Sequence, residues 1–334
     1  MIPDDVLRAL PKAELHLHLE GAVAAGTLVE LARKHGINLG GGDPDALFRF
    51  TDLASFLTMY ACVCDNVRDA SDFQRISYEA LARVAASGGR YAEMFFSPAA
   101  HPGTRYGVML DGILAGMADA ERDHGVASAL IPAYNRELGP GPAVEFVDMV
   151  LADKRDGILG IGLDYLENDP CAFEAMYAHA YHGGLHLTAH AGETGPADHV
   201  RDSIDVLGCE RIDHGYHVVD DDALVARCAT EGTYFTCCPT TTTHTTIWRD
   251  LDAPDHAIRL MLEAGLGVTI NTDDPGLMKT TLVDEYRIAV ERFGATPAQV
   301  KEICLNGLRA SWLDAPAKQA RIDAWSAEID ALIA

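Results

Sequence analysis

The chain has 334 residues, 48% hydrophobic and 23% charged, and its 50 acidic residues against 26 basic ones give a formal net charge of −24 at pH 7. This balance is typical of a globular protein that buries a large core. The negative field repels phosphate polyanions, which argues against a nucleic acid or an anionic membrane as partner and favours a small neutral or cationic ligand.

The amino-terminal stretch MIPDDVLRALPKAE carries acids where a signal peptide needs a basic segment and an apolar core. No apolar run of the sequence approaches the roughly 20 residues of a membrane helix. The eight cysteines include no C-x-x-C pair, so we expect them to be reduced and mostly buried. The sequence therefore predicts a cytoplasmic protein. It leaves the oligomeric state open, a homo-oligomer included.

Eight short apolar runs alternate with longer amphipathic stretches along the chain. These runs cover residues 13–19, 91–97, 126–134, 157–165, 184–191, 211–217, 232–238 and 265–272. Eight alternating β and α units predict a closed (β/α)8 TIM barrel, here as one domain over residues 1–334. We also expect a lid-like helical insertion over about 43–70, a Thr-rich loop over 239–246, and two or three further helices from Thr296 onward.

Ionisable side chains stand at the carboxyl ends of four predicted strands. They are His16, His18 and Glu20 after the first strand, His190 and Glu193 after the fifth, Asp213 and His214 after the sixth, and Asp273 and Asp274 after the eighth. These strand ends face one mouth of a barrel, so the side chains can converge. Each taken singly has a structural explanation, as Asp-Asp-Pro has in a turn. Gathered together, they are costly to desolvate without a cation.

Three imidazoles and one carboxylate form a donor set typical of zinc. The expected ligands of one Zn²⁺ per chain are His16, His18, His190 and Asp273. A catalytic zinc keeps a water and lowers its pKa towards about 7. The unligated groups expected around that water are Glu193, His214 and Asp274.

Four blocks of the sequence resemble the signatures of the adenosine and adenine deaminase family, in the amidohydrolase superfamily. They are PKAELHLHLEG, HAGE, RIDHG and NTDDPGLMKTTLVDEY, and the likeness runs from about residue 10 to 313. The segment SFLTMY resembles the helix that covers the purine in this family, so Phe56 and Tyr60 are expected substrate contacts.

The resemblance implies a zinc-dependent hydrolytic deaminase of a 6-aminopurine, in which zinc hydroxide attacks C6 and ammonia leaves. Glu193 would give a proton to purine N1. His214 would orient and deprotonate the water, while Asp274 would hold that water and the N7 side of the purine.

Two acids bear on the substrate. Glu20 stands where adenosine deaminases usually have the Asp that meets the ribose 5′-hydroxyl, and adenine deaminases usually have a Glu there. Glu167 stands near the position where adenosine deaminases keep a glycine against purine N3, and adenine deaminases place a glutamate similarly. The strand 8 block and FFSPAAH are closer to adenosine enzymes, whereas CPTTTTHTT departs from both. We therefore predict adenosine or deoxyadenosine as the substrate, with inosine as product, and adenine as the alternative.

Two other classes fit less well. Many hydrolases of the wider superfamily hold two metals bridged by a modified lysine after strand 4, and GLDYLEN contains no lysine. A catalytically silent binding protein should have lost a ligand or the acid, and all of these residues are present.

Overall fold

A computed structural model describes residues 2–39, 46–51 and 53–333. Strands β1 to β8 are Lys12–His18, Gly89–Phe96, Ala127–Asn135, Gly160–Asp164, His186–Ala191, Arg211–His214, Tyr234–Cys237 and Gly267–Ile270. Helices α1 to α15 are Asp4–Ala9, Ala25–Lys34, Leu53–Cys64, Ala70–Ala86, Tyr106–His124, Ala143–Ala152, Glu174–His182, Ala197–Asp205, Asp222–Glu231, Pro239–Thr245, Ala257–Glu263, Pro275–Met278, Leu282–Glu291, Pro297–Ala310 and Ala315–Ile333.

The eight strands form one parallel sheet in sequential order. The ends of the sheet meet where Leu17 forms a parallel bridge with Asp273. At this seam the Asp273 N–H donates to the carbonyl of His16 at 2.9 Å, and the His18 N–H donates to the carbonyl of Asp273 at 2.8 Å. The predicted (β/α)8 barrel is therefore confirmed, and its seam runs through residues expected to bind metal.

The strands end earlier than several of the apolar runs. Strand β6 stops at His214 because the next residue, Gly215, has a φ of 77°, which turns the chain out of the sheet. The expectation of a Thr-rich loop over 239–246 was wrong, because helix α10 covers Pro239–Thr245. Pro239 at its first position suits a helix start, where the missing N–H is not needed.

Helix α3 covers the barrel mouth and lies within the stretch of about 43–70 predicted as a lid, of which residues 43–45 and 52 lie outside the described part of the chain. At the opposite end of the barrel, the ring of Trp312 stacks on His186 at the start of β5, and it belongs to an apolar cluster with Phe95, Ile131 and Ala133 inside the barrel. No described helix is long and apolar enough to cross a membrane.

Candidate active site and metal centre

The four expected metal ligands converge at the barrel mouth. Ligand atoms of His16, His18, His190 and Asp273 all lie within 4.8 Å of one another, and all four residues are buried. Asp273 Oδ1 is 3.3 Å from His16 Nε2 and 3.4 Å from His18 Nε2. His18 and His190 bring their Nε2 atoms to 3.0 Å.

This cluster fits a zinc ion. The Nε2 atom of His16 is buried without a hydrogen-bond partner, which is costly unless a cation takes its lone pair. Burial lowers the pKa of His18 to about 3 and also lowers the pKa of His190, so both imidazoles are neutral, the form in which they bind metal.

Cys238 and His214 form a second close group with His16 and Asp273. Zinc binds the thiolate form of cysteine. Burial raises the pKa of the Cys238 thiol well above its usual value, and its Sγ–H donates to the carbonyl of Thr236 at 3.7 Å. The set of three histidines and one aspartate is therefore the better zinc site.

Asp213 orients two of the histidines from below. Its carboxylate accepts hydrogen bonds from the hydroxyls of Thr188 and Thr236, each at 2.9 Å. Because the Thr236 hydroxyl donates to Asp213, it accepts from Nδ1–H of His16 at 2.9 Å, which leaves Nε2 of His16 facing the metal position. Asp213 also lies 3.5 Å from Nδ1 of His190. Such outer partners fix the tautomer of a ligand.

Local backbone geometry aims these side chains. His16 and His18 are two apart in β1, so both point into the barrel, where they contact the ring of Phe95 at 5.2 and 5.0 Å between centroids. His214 and Asp273 have φ angles of 66° and 61°. Non-glycine residues in this left-handed region are uncommon and cluster at functional sites.

Glu193 lies on the turn after β5 and lines the cavity beside the metal site. Burial, with the nearby Asp273 carboxylate, raises its pKa to about 7, which suits a group that gives a proton at neutral pH. Its Oε1 accepts a hydrogen bond from the hydroxyl of Thr245 at 2.6 Å, and its Oε2 lies 3.7 Å from Nε2 of His214.

The imidazole of His214 is oriented by Tyr216. The Tyr216 hydroxyl donates to the carbonyl of Cys238 at 3.4 Å, so it accepts from Nδ1–H of His214 at 3.1 Å. This tautomer leaves Nε2 with a free lone pair. Burial, followed by the neighbouring His16, lowers the pKa of His214 well below its usual value.

Asp274 also lines the cavity, and its Oδ1 is buried without a hydrogen-bond partner. Burial and the adjacent Asp273 carboxylate raise its pKa well above the usual value. Gly21 makes room for it, because a Cβ at Gly21 would lie 1.6 Å from Asp274 Oδ1. The glycine that ends ELHLHLEG is thus part of the site, a role that the sequence analysis missed.

Helix α3 forms one side of the cavity, where the expected substrate contacts Phe56 and Tyr60 belong to its lining. The lining residues that the sequence analysis did not single out are Leu57, Asp164, Tyr165, Thr241 and Thr245. Asp164 ends β4, so the strand-end rule that found the other acids could have found it. Thr245 gave no such signal, because its helix was not predicted.

Glu20 and Glu167 are placed differently from the expectation. Glu167 accepts hydrogen bonds of 2.7 to 3.1 Å from the backbone N–H groups of residues 192–195, and one of 2.9 Å from His199. It therefore holds the turn that carries Glu193 and does not line the cavity. Glu20 is fully buried behind Tyr60 and is likewise absent from the cavity lining.

Comparison with known proteins gives consistent relatives. The adenosine deaminase family matches residues 11–327. The chain belongs to the adenosine deaminase family. An adenine deaminase of Streptomyces coelicolor is 38% identical over 93% of this chain and 93% of its own length, and one of Cupriavidus taiwanensis is 36% identical over 93% and 90%.

Two solved structures of the family are similar throughout. An amidohydrolase from Burkholderia ambifaria with bound zinc has a TM-score of 0.91 at 38% identity, covering 98% of this chain and 93% of that one. The adenine deaminase of Arthrobacter aurescens has a TM-score of 0.89 at 33% identity, covering 96% and 100%. The present chain is a zinc-dependent hydrolytic deaminase that acts on the C–N bond of a cyclic amidine.

Proposed function

We propose that this enzyme deaminates free adenine to hypoxanthine and ammonia. The observation that carries the proposal is the burial of Glu20, the residue at the expected 5′-hydroxyl position. Its Oε1 accepts from the Ser97 N–H at 3.0 Å and lies 3.1 Å from His101 Nε2, and its Oε2 accepts from the Tyr60 hydroxyl at 3.2 Å. Both oxygens are engaged, so neither is free to hold a ribose.

The names of relatives also support the base over the nucleoside. The relatives from Streptomyces coelicolor, Cupriavidus taiwanensis and Arthrobacter aurescens are all named adenine deaminases. The alternative reading of the sequence, adenine, is therefore better supported than adenosine.

The residues of the site divide the chemistry among them. Glu193, with a pKa of about 7 caused mainly by burial, is the proton donor to purine N1, which makes C6 more electrophilic. Neutral His214 offers Nε2 to take a proton from the attacking water, and Asp274 orients that water and faces the N7 side. His16, His18, His190 and Asp273 would hold the zinc ion, which would supply the Lewis acid that lowers the pKa of the water.

The test is a comparison of substrates on the zinc-loaded enzyme. We expect kcat/KM, measured as ammonia release, to be at least about 100-fold higher for adenine than for adenosine or 2′-deoxyadenosine, as when buried polar groups select a ligand. The Glu193→Gln variant, prepared identically, controls for contaminating deaminases and should lose about 10²- to 10⁴-fold in kcat. A preference for adenosine, or an adenosine rate lost on replacing its 5′-hydroxyl by hydrogen, would overturn the proposal.

A further inference from the structure

We infer that Asp164 is a specificity-determining residue that accepts a hydrogen bond from the N9–H of adenine. This inference rests on the proposed function, because N9 carries a hydrogen in the free base and a ribose in the nucleoside. Asp164 ends strand β4, lines the cavity and is 3% exposed.

The first step concerns the free atom of this carboxylate. Its Oδ2 accepts from the Ser97 hydroxyl at 2.9 Å, whereas its Oδ1 is buried without a hydrogen-bond partner. A buried acceptor left unpaired is destabilising. Burial raises the pKa of Asp164 to about 7, and an N–H donor placed beside Oδ1 would stabilise the ionised form of this carboxyl group.

The second step concerns the surroundings that fix this oxygen. Ser97 joins Asp164 to Glu20, since its hydroxyl donates to Asp164 while its backbone N–H donates to Glu20 at 3.0 Å. Tyr60 holds the other oxygen of Glu20. This network presents Asp164 in one orientation and uses every other carboxylate oxygen in it, so Oδ1 is the acceptor left for a ligand.

The third step concerns the edge of the purine that reaches it. When N1 meets Glu193 and N7 faces Asp274, the edge opposite C6 carries N3 and N9. The described cavity wall away from the expected ligands, Glu193, His214 and Asp274 contains lid residues, threonines, Tyr165 and Asp164. Asp164 carries the one carboxylate of that wall, and a carboxylate pairs with an N–H, the feature that N9 of the free base offers and N3 lacks.

The experiment compares adenine with 9-methyladenine, which lacks the N9–H but adds only a methyl group. In the unaltered enzyme we expect kcat/KM to favour adenine by roughly 10- to 150-fold, the range for a hydrogen bond to a charged group. Asp164→Ala should lower kcat/KM for adenine by a similar factor, leave 9-methyladenine nearly unchanged and so abolish the preference. Asp164→Asn, which keeps the shape and a neutral acceptor, should show an intermediate preference and serves if the Ala variant fails to fold.

Zinc content and thermal unfolding are measured on each variant to confirm that fold and metal are kept. Equal losses for both substrates in Asp164→Ala, or an unchanged preference in a folded variant, would overturn the role of Asp164 while leaving adenine as the substrate. An unaltered enzyme that turns over adenosine but not adenine would overturn the proposed function itself, so the two failures are distinguishable.

Discussion

Single atoms decide much of this active site. Hydroxyl, carboxylate and imidazole groups interact only weakly with one another in water. Here they are held at fixed positions in a buried cavity, where their hydrogen bonds and charge interactions are stronger. The Thr245 hydroxyl donates a hydrogen bond to Glu193, and Gly21 leaves room for the side chain of Asp274. Asp273 brings a carboxylate to the three histidines. Each can be tested by one substitution.

Asp273→Ala should release the metal. Three neutral imidazoles bind a dication less well than a ligand set that includes a carboxylate. The zinc content of the variant, measured by elemental analysis, should therefore fall well below the value of about one ion per chain expected for the unaltered enzyme. Asp274→Asn, at the neighbouring position outside the ligand set, should keep its zinc. Full zinc in the Ala variant, or its loss from the Asn variant, would reassign the ligands.

Thr245→Val should slow the reaction by removing the hydroxyl that orients Glu193 at 2.6 Å. The expected loss in kcat is roughly 10- to 100-fold, the worth of a hydrogen bond to a charged group, with zinc content unchanged. Thr245→Ser keeps the hydroxyl and should retain most of the activity. Equal losses in both variants would point to packing instead of the hydrogen bond.

Gly21→Ala should displace Asp274, because the new Cβ would stand 1.6 Å from its Oδ1. We expect kcat to fall by about 10-fold or more, since small misplacements in an active site are costly. Gly26→Ala is the matched control, as nothing lies within 4 Å of a Cβ there. Similar kinetics in the two variants would remove Gly21 from the site.

At the scale of elements, the loops after the strands are tied to one another by buried charges. Arg136, after β3, donates to the carbonyls of Leu163, Asp164 and His190, and so links the ends of β4 and β5. Glu167 links the loop after β4 to the turn after β5. The position of Glu193 therefore depends on an acid from the neighbouring loop.

Glu167→Gln should destabilise the protein in a pH-dependent way. Hydrogen bonds, with His199 the strongest, outweigh burial and hold the pKa of Glu167 at about 2 in the folded state. The pKa in the folded state is below the pKa of about 4.3 in the unfolded state. The carboxylate therefore stabilises the fold by on the order of 3 kcal/mol at pH values above the unfolded pKa, and this contribution is lost as the pH falls towards about 2.

Urea unfolding of both proteins across pH 3 to 7 measures this difference. The gap in unfolding free energy between the original enzyme and the variant should be largest near neutral pH and should narrow in acid. A gap that stays constant with pH would contradict an ionised role for Glu167.

At the scale of the whole molecule, the end of the barrel opposite the mouth is held by buried charges. Glu93 and Arg211 form a buried ion pair there, with the guanidinium 4.0 Å from the Trp312 ring. Glu93 also accepts from the backbone N–H of Trp312 at 2.6 Å. These contacts anchor the segment between α14 and α15 beneath the strands. They stabilise the fold at the end of the barrel opposite the mouth, away from the expected catalytic residues.

Glu93→Gln should cost about 3–5 kcal/mol of unfolding free energy, because it leaves the Arg211 charge buried and unpaired. Glu328→Gln breaks the exposed pair with Arg90 and should cost at most about 1 kcal/mol. Chemical denaturation of the two variants measures both values. A small effect of Glu93→Gln would mean that water or another group reaches Arg211.

The sequence by itself predicted the barrel and the gathering of the expected zinc donors and proton-transfer residues at its mouth, since strand alternation and the rule that strand ends share one mouth are local or topological properties. It could not determine where an acid points once its strand has ended. The loop after β4 turns Glu167 towards the next turn, Ser97 and Tyr60 enclose Glu20, and Asp164 is left facing the cavity. Those outcomes depend on hydrogen bonds between residues far apart in sequence, which only the tertiary structure brings together.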